Sequence, residues 1–279
     1  GMASWYVSQD PDRLTHPLLR TNPKGERGEF KQISWDEAFQ FIADKLKHIA
    51  DEWGPEAVAL TCHHDPNTVF YHHLLKDLYG SPNMYAHTSG CEQDRRSACL
   101  TLFGHVFPMH DFVNSKYVML WGMNNLGANQ GLWESRDLIE AQSKGCRLVV
   151  VDPNFTETAQ KADEWVPIRP GTDGSMALAM CRVIIDEKLY DEEFVTKYCE
   201  GFTGFRDHLH EKGYTPAWAE EICGIEAETI ARLAREFATT KPAMSAIFKG
   251  SGYYTNGHDA GRACYILDAI CGEVDKPGN

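Results

Sequence analysis

The chain has no C-x-x-C pair, no apolar run long enough to cross a membrane and no excess of positive charge. Each absence removes a class of protein. The nine cysteines (Cys62, Cys91, Cys99, Cys146, Cys181, Cys199, Cys223, Cys264 and Cys271) are odd in number and scattered over 279 residues. That pattern indicates neither a disulfide framework nor a zinc ribbon. Most lie in apolar stretches such as Met180-Cys181-Arg182-Val183 and read as buried, reduced thiols. Lys and Arg total 27 against 40 Asp and Glu, a formal charge of −13, whereas binding a nucleic-acid backbone requires a basic face. Nucleic acid is therefore excluded as a partner, while a local groove for a small phosphorylated molecule stays open. The longest apolar runs, such as Leu148 to Val151, are strand-sized, so no direct membrane span is expected. No signal peptide, internal repeat or low-complexity tract is visible. A G-x-G-x-x-G fingerprint after the first strand is also missing. Gly250-Ser251-Gly252 comes late and lacks the third glycine, which counts against a nicotinamide-dependent Rossmann dehydrogenase.

What is present is an α/β pattern. Hydrophobic residues make up 43% of the chain and charged residues 24%, enough to bury a core without covalent staples. The Pro-, Arg- and Gly-rich opening to about Gln32 reads as an extended arm. Ser34-Trp35-Asp36-Glu37 is a capping box, followed at helical spacing by Phe39, Ile42, Leu46 and Ile49. Ala57 to Thr61 reads as a strand, and Asp65-Pro66 as the start of a helix that Gly80 ends. A further helix is predicted over Glu92 to Phe103, stopped by Gly104. Tyr117 to Trp121 and Arg147 to Val151 are apolar without alternation, as strands covered on both faces are. Helices are predicted from about Gly131 to Ser143, from Asp173, from Asp191, from Thr215 and around Ile230 to Phe237. A strand over Ala243 to Phe248, a Gly-rich loop and a helix from about Asp259 to Ile270 complete the order. The segment 272–279 reads as unstructured.

This alternation predicts two Rossmann-like α/β domains with mostly parallel sheets. The expected division is an arm and first helix at 1–50, a discontinuous domain from 51–112 and 241–279, and a dinucleotide-cradle domain at 113–240.

Three clusters stand where such sheets bind ligands, beyond the carboxyl ends of strands. Trp121-Gly122-Met123-Asn124-Asn125 follows one strand, with a glycine that lets backbone approach a phosphate, although an ordinary turn would look the same. Val150-Val151-Asp152-Pro153 follows the next, where Asp152 could accept from a ribose or cap a helix. Ile168-Arg169-Pro170-Gly171-Thr172-Asp173-Gly174 is a rigid turn into an apolar helix. Asp173 there could cap that helix or accept two hydrogen bonds from a guanine edge. Two histidine pairs, His63-His64 and His72-His73, are tandem rather than i, i+4, which argues against a zinc chelate.

Taken together, these segments resemble the molybdopterin oxidoreductases of the dimethyl-sulfoxide-reductase type. The resemblance is carried by Val151-Asp152-Pro153-Asn154-Phe155-Thr156-Glu157-Thr158-Ala159 and by Ala162-Asp163-Glu164-Trp165-Val166-Pro167-Ile168 running into the turn above. It extends from Arg13-Leu14 and Ile33 to Ala38 through Leu189-Tyr190-Asp191 to the last residues. Asn125 departs from the motif, which usually has proline there. The resemblance implies an internal fragment, lacking the iron–sulfur and C-terminal domains, of an enzyme that carries bis-molybdopterin guanine dinucleotide with molybdenum or tungsten. It implies that Gly122 and Asn124 lie near a pyrophosphate, Asp152 and Thr156 near ribose or guanine, and Pro170, Gly171 and Asp173 at the guanine edge. Lys249 and Gly250 would approach a pterin.

The metal ligand implied by the resemblance is Cys91, on Ser89-Gly90-Cys91 before a helix that ends at Gly104. A thiolate suits a soft metal, and a helix N-terminus favours the thiolate. Arg95 and Arg96 one turn on could assist or could hold an oxyanion. Glu92 after Cys91 counts against formate as substrate, and a Cys ligand against sulfoxides and amine oxides. Thiosulfate, polysulfide, nitrate or arsenate-type chemistry, or acetylene hydration, stay open. Further implications are a [4Fe-4S] cluster in the missing N-terminal domain, an iron–sulfur electron-transfer subunit as partner, and a prokaryotic cytoplasmic or periplasmic location. The missing domains of the same chain would complete the cofactor site, so this segment alone is expected to bind no cofactor and to be inactive. The competing non-enzymatic reading is a cofactor-less structural subunit of a respiratory complex.

Overall fold

The computed structural model describes residues 4–63, 68–106, 109–128 and 132–279. The chain forms two compact units, 1–87 and 88–279.

In the first unit a short helix α1 (Ser4–Ser8) precedes an antiparallel hairpin of β1 (Leu18–Arg20) and β2 (Phe30–Gln32). The arm expected here therefore contains paired strands. Helix α2 (Trp35–Trp53) begins with the predicted capping box: Glu37 N–H donates to Ser34 Oγ at 3.1 Å, and Ser34 N–H to Glu37 Oε2 at 2.7 Å. Two orphan donors are thereby satisfied reciprocally. The strand expected over Ala57 to Thr61 is shifted. Gly54 and Pro55 make Pro55–Ala57 a 3-10 turn, and β3 (Leu60–Cys62) pairs in parallel with β4 (Met84–Ala86). Between them α3 (Thr68–His73) continues as a π-helical stretch, Leu74–Tyr79, that ends at left-handed Gly80. The predicted start at Asp65-Pro66 lies outside the described residues.

The second unit is built on four parallel strands in the order β7-β6-β5-β8. These are β5 (Tyr117–Trp121), β6 (Arg147–Val151), β7 (Glu164–Val166) and β8 (Ala243–Ile247). Strand periodicity sorts their side chains into two layers. Tyr117, Met119, Trp121, Val149 and Val151 belong to one core. Val118, Leu120, Leu148 and Val150 belong to the other, with Leu138 and Ala141 of α5 (Leu132–Ser143). The first core is closed by α4 (Gln93–Phe103), α6 (Asp173–Asp186), α9 (Pro216–Cys223), α10 (Ala227–Thr239) and α12 (Gly257–Ile270). Smaller helices α7 (Glu192–Tyr198), α8 (Phe202–Glu211) and α11 (Lys249–Gly252) complete the unit. Covered on both faces, the strands could be continuously apolar, as their sequences are.

Two expectations meet the structure here. Strand β8 pairs with β5 along its whole length, Tyr117 opposite Ala243 and Trp121 opposite Ile247. Residues 241–279 therefore share a sheet with 113–240, and their helix α12 shares a core with α4 in the same unit. The segment 272–279 is also ordered. β8 has backbone groups free on its outer side, and the end of the chain satisfies them. Glu273 accepts from Ala243 N–H (3.2 Å), Asn279 donates to the Ala243 carbonyl (2.9 Å), and Asp268 of α12 accepts from Ser245 N–H (2.8 Å). These bonds pair backbone groups of Ala243 and Ser245 that an open edge would leave free.

Candidate functional site

The three sequence clusters stand at the carboxyl edge of this sheet, in the loops after β5, β6 and β7, and Gly250 comes from the segment after β8. Gly122 ends β5 with φ of +55°, and its N–H donates to the Val151 carbonyl at 2.9 Å. Its own carbonyl accepts from Gly250 N–H at 3.0 Å. A Cβ on Gly122 would lie 2.6 Å from Gly250 Cα, so two neighbouring strand ends meet backbone to backbone. The place of a side chain on either glycine is thus taken by the backbone of the other, and this contact alone requires both to be glycine.

At the end of β6, Asp152 is 7% exposed and accepts from Asn154 N–H at 2.8 Å. Burial raises its pKa. Asp173, the first residue of α6, is 4% exposed. Burial, opposed by a backbone hydrogen bond and reinforced by the charge of Asp152, pushes it up to about 6. Neither carboxylate makes an ion pair among the described residues. The N-cap of α6 is Thr172, without a side-chain cap bond, so Asp173 does not act as the cap.

Other residues of the motifs have structural duties. Arg169 donates to the carbonyls of Glu221 (2.7 Å) and Ile222 (3.1 Å), closing the C-terminus of α9. Gly174 lets α6 approach α12, since a Cβ there would meet Ala260 Cα at 3.0 Å. Gly171 has φ of +76° and lies under the Tyr254 ring, and its carbonyl accepts from Asn256 at 3.0 Å. Pro170 is exposed beside it. Thr156 Oγ1 accepts from Ala159 N–H (3.2 Å) and so caps a local turn.

Cys91 is half-buried, just before the N-cap Glu92 of α4. The phenol of Tyr253 is beside it, and burial followed by Cys91 itself raises that phenol's pKa, with Lys249 opposing. The structure thus groups Cys91, Tyr253 and Lys249 next to the Gly122–Gly250 contact. Glu92 accepts from Arg95 at 2.9 Å and from Arg96 at 2.6 and 3.1 Å, and Arg95 also stacks over Phe248 with its guanidinium carbon 4.8 Å from the ring centre. The two guanidiniums thus share one carboxylate.

Tyr253, Thr158 and Glu157 belong to the site without having been expected. Tyr253 follows a Gly-rich loop with no motif around it. The 0%-exposed Thr158 is a polar residue that only three-dimensional contact reveals as fully bonded. Among the described residues no group of three or more His, Cys, Asp or Glu is arranged to hold a metal ion.

Comparison with known proteins agrees with this geometry. The family model for molybdopterin oxidoreductase matches residues 13–279. The chain is 35% identical over its whole length to the thiosulfate reductase molybdopterin-containing subunit PhsA of Salmonella typhimurium, covering 36% of that protein. It is 33% identical to the dimethyl sulfoxide reductase DmsA of Escherichia coli, over 96% of this chain and 37% of that one. The solved structure of acetylene hydratase from Pelobacter acetylenicus superposes with a TM-score of 0.84 at 32% identity, over 99% of this chain and 38% of the other. The chain thus spans little more than a third of the length of these relatives. With the parallel sheet, the strand-end glycines and the buried aspartates in place, the chain belongs to the molybdopterin oxidoreductase family.

Proposed function

We propose that this chain is the part of a molybdenum or tungsten oxidoreductase that binds molybdopterin guanine dinucleotide along the carboxyl edge of the sheet. The observation that carries this reading is the pair of buried carboxylates, Asp152 and Asp173, adjacent and without a cation among the described residues. Burying acidic groups is costly unless donors reach them. A guanine N1–H and N2–H₂ edge and ribose hydroxyls offer such donors, so the residues present fit the group.

When bound, the cofactor supplies two-electron exchange at its metal, with oxygen or sulfur transfer to or from a small substrate. The chain's own residues do the rest. Cys91 offers one soft thiolate donor. Asp173 and Asp152 accept from the nucleotide, Thr156 and the turn Pro170-Gly171 shape its seat, and the Gly122–Gly250 contact presents backbone to a phosphate or pterin. Lys249 is a cation whose charge reaches Tyr253, the neighbour of Cys91, and it could meet an anionic ring or substrate. A second dinucleotide, a [4Fe-4S] cluster outside this segment and an iron–sulfur partner subunit belong to the same proposal. It is supported by the relative named as a molybdopterin-containing subunit.

The test is to express the whole protein anaerobically and measure metal and released GMP, with Cys91→Ser alongside. About one metal and about two GMP per chain, with metal lowered in the variant, are expected for a bis-dinucleotide enzyme. Neither metal nor nucleotide, from a host that makes the cofactor, would instead favour a cofactor-less structural subunit.

A further inference from the structure

Asn124 stands at the mouth of the cradle, yet its carbonyl oxygen has no lone pair left for a ligand. Oδ1 accepts from Thr158 N–H at 3.2 Å and from Thr158 Oγ1 at 2.8 Å. Nδ2 donates to Glu157 Oε2 at 2.9 Å. This amide orientation is fixed by its surroundings. Reversed, it would place oxygen against a carboxylate and N–H groups against two donors. The circuit closes through Thr158 Oγ1, which also accepts from Leu126 N–H at 3.0 Å. Gly127 makes room for it: a Cβ there would lie 2.4 Å from Glu157 Oε2 and 2.5 Å from Asn124 Nδ2.

We propose that Asn124 is a positioning residue, a latch tying the loop after β5 to the loop after β6, its carbonyl oxygen committed to that tie and not to the bound group. This rests on the cradle reading given above. The loop after β5 carries Gly122, and the loop after β6 carries Asp152 and Thr156, so the gap between them sets the seat of a dinucleotide. Fixing that gap beforehand removes an ordering cost from binding. The latch joins residues 33 and 34 positions apart in sequence, so it acts between loops and not within one turn. Its hydrogen bond from Asn124 also holds the Glu157 carboxyl below its ordinary pKa.

The test uses Asn124→Asp, Glu157→Gln and the pair in the whole protein, with melting temperature and retained guanine nucleotide both measured. Asn124→Asp keeps an acceptor for Thr158 but sets one carboxylate against another. The second change replaces the opposing carboxylate with an amide that can donate. The latch predicts that Asn124→Asp lowers the melting temperature and weakens nucleotide retention about tenfold, and that adding Glu157→Gln recovers both. If the pair recovers its melting temperature but not its nucleotide, the new carboxylate is repelled by the ligand itself and Asn124 is a direct contact. Equal behaviour of all four proteins would also overturn the latch. If the unaltered protein holds no nucleotide, the cradle reading fails, and the melting temperatures alone then decide the latch: recovery by the pair supports it and no recovery overturns it.

Discussion

Gly122, just after β5, and Gly250, in α11 after the neighbouring strand β8, touch backbone to backbone, joined by a 3.0 Å hydrogen bond from Gly250 N–H to the Gly122 carbonyl. Two separate physical demands coincide at Gly122. Its φ of +55° disfavours a side chain, and a Cβ would sit 2.6 Å from Gly250 Cα. Gly145 supplies the control, with φ of +89° and nothing within 4 Å of the place a Cβ would occupy.

Gly122→Ala is therefore expected to cost about 3 kcal/mol, from left-handed strain plus overpacking, and Gly145→Ala about 1 kcal/mol from strain alone. Urea unfolding of both variants measures the difference. Equal costs would mean that the strand ends are not in contact. Combining Gly122→Ala with Gly250→Ala should be less than additive, because both substitutions break one contact.

Asp173 makes a prediction about pH. Burial first, then the charge of Asp152, raises its carboxyl from 3.8 to about 6. Well below the ordinary 3.8 the group is protonated in both the folded and the unfolded chain. As pH rises toward 6 the unfolded chain releases its proton first, so folding stability falls through this window, by roughly 3 kcal/mol. Above pH 6 the contribution of this group is flat. Asp173→Asn should remove that slope and leave the chain more stable than the unaltered one at pH 7. Urea midpoints at pH 4.5, 5.5 and 7 check it. A slope unchanged by the substitution would show that Asp173 is not held neutral by burial.

The sheet was legible in the sequence wherever the physics is local. Tyr117 to Trp121 and Leu148 to Val151 are runs without polar alternation, and both lie in strands. Gly122, Asp152 and Asp173 were legible because strand ends and helix starts carry recognisable residues. Thr158 was not, since nothing in its neighbourhood shows that its hydroxyl bonds Asn124 across 34 positions. Helix α8 gives no sequence signal because it starts at left-handed Gly201 without a side-chain cap. The tail 272–279 reads as unstructured because its polar residues serve the free edge of β8, a partner that only the folded sheet provides. Arg169 shows the converse. It belongs to a conspicuous motif, yet its guanidinium closes α9.

Glu92 provides the last prediction. Its side chain is 16% exposed, between the guanidiniums of Arg95 (10%) and Arg96 (15%). Burial alone would raise its carboxyl, but the hydrogen bond from Arg96 and the charges of Arg95 and Arg96 outweigh burial and hold it below the ordinary 4.5. A depressed carboxyl contributes stability that is present above its unfolded value and lost as pH falls through the folded one. Glu92→Ala removes the shared carboxylate from two largely buried cations and should cost about 3 kcal/mol at neutral pH. Glu92→Gln keeps an acceptor and should cost less, while flattening the loss of stability below about pH 4.5. Denaturant unfolding across pH 3.5 to 7 separates the variants, and amide exchange at the start of α4 shows whether the segment next to Cys91 loosens. If Glu92→Ala is as stable as Glu92→Gln, the two arginines draw their compensation from elsewhere, and the clamp does not hold the Cys91 segment in place.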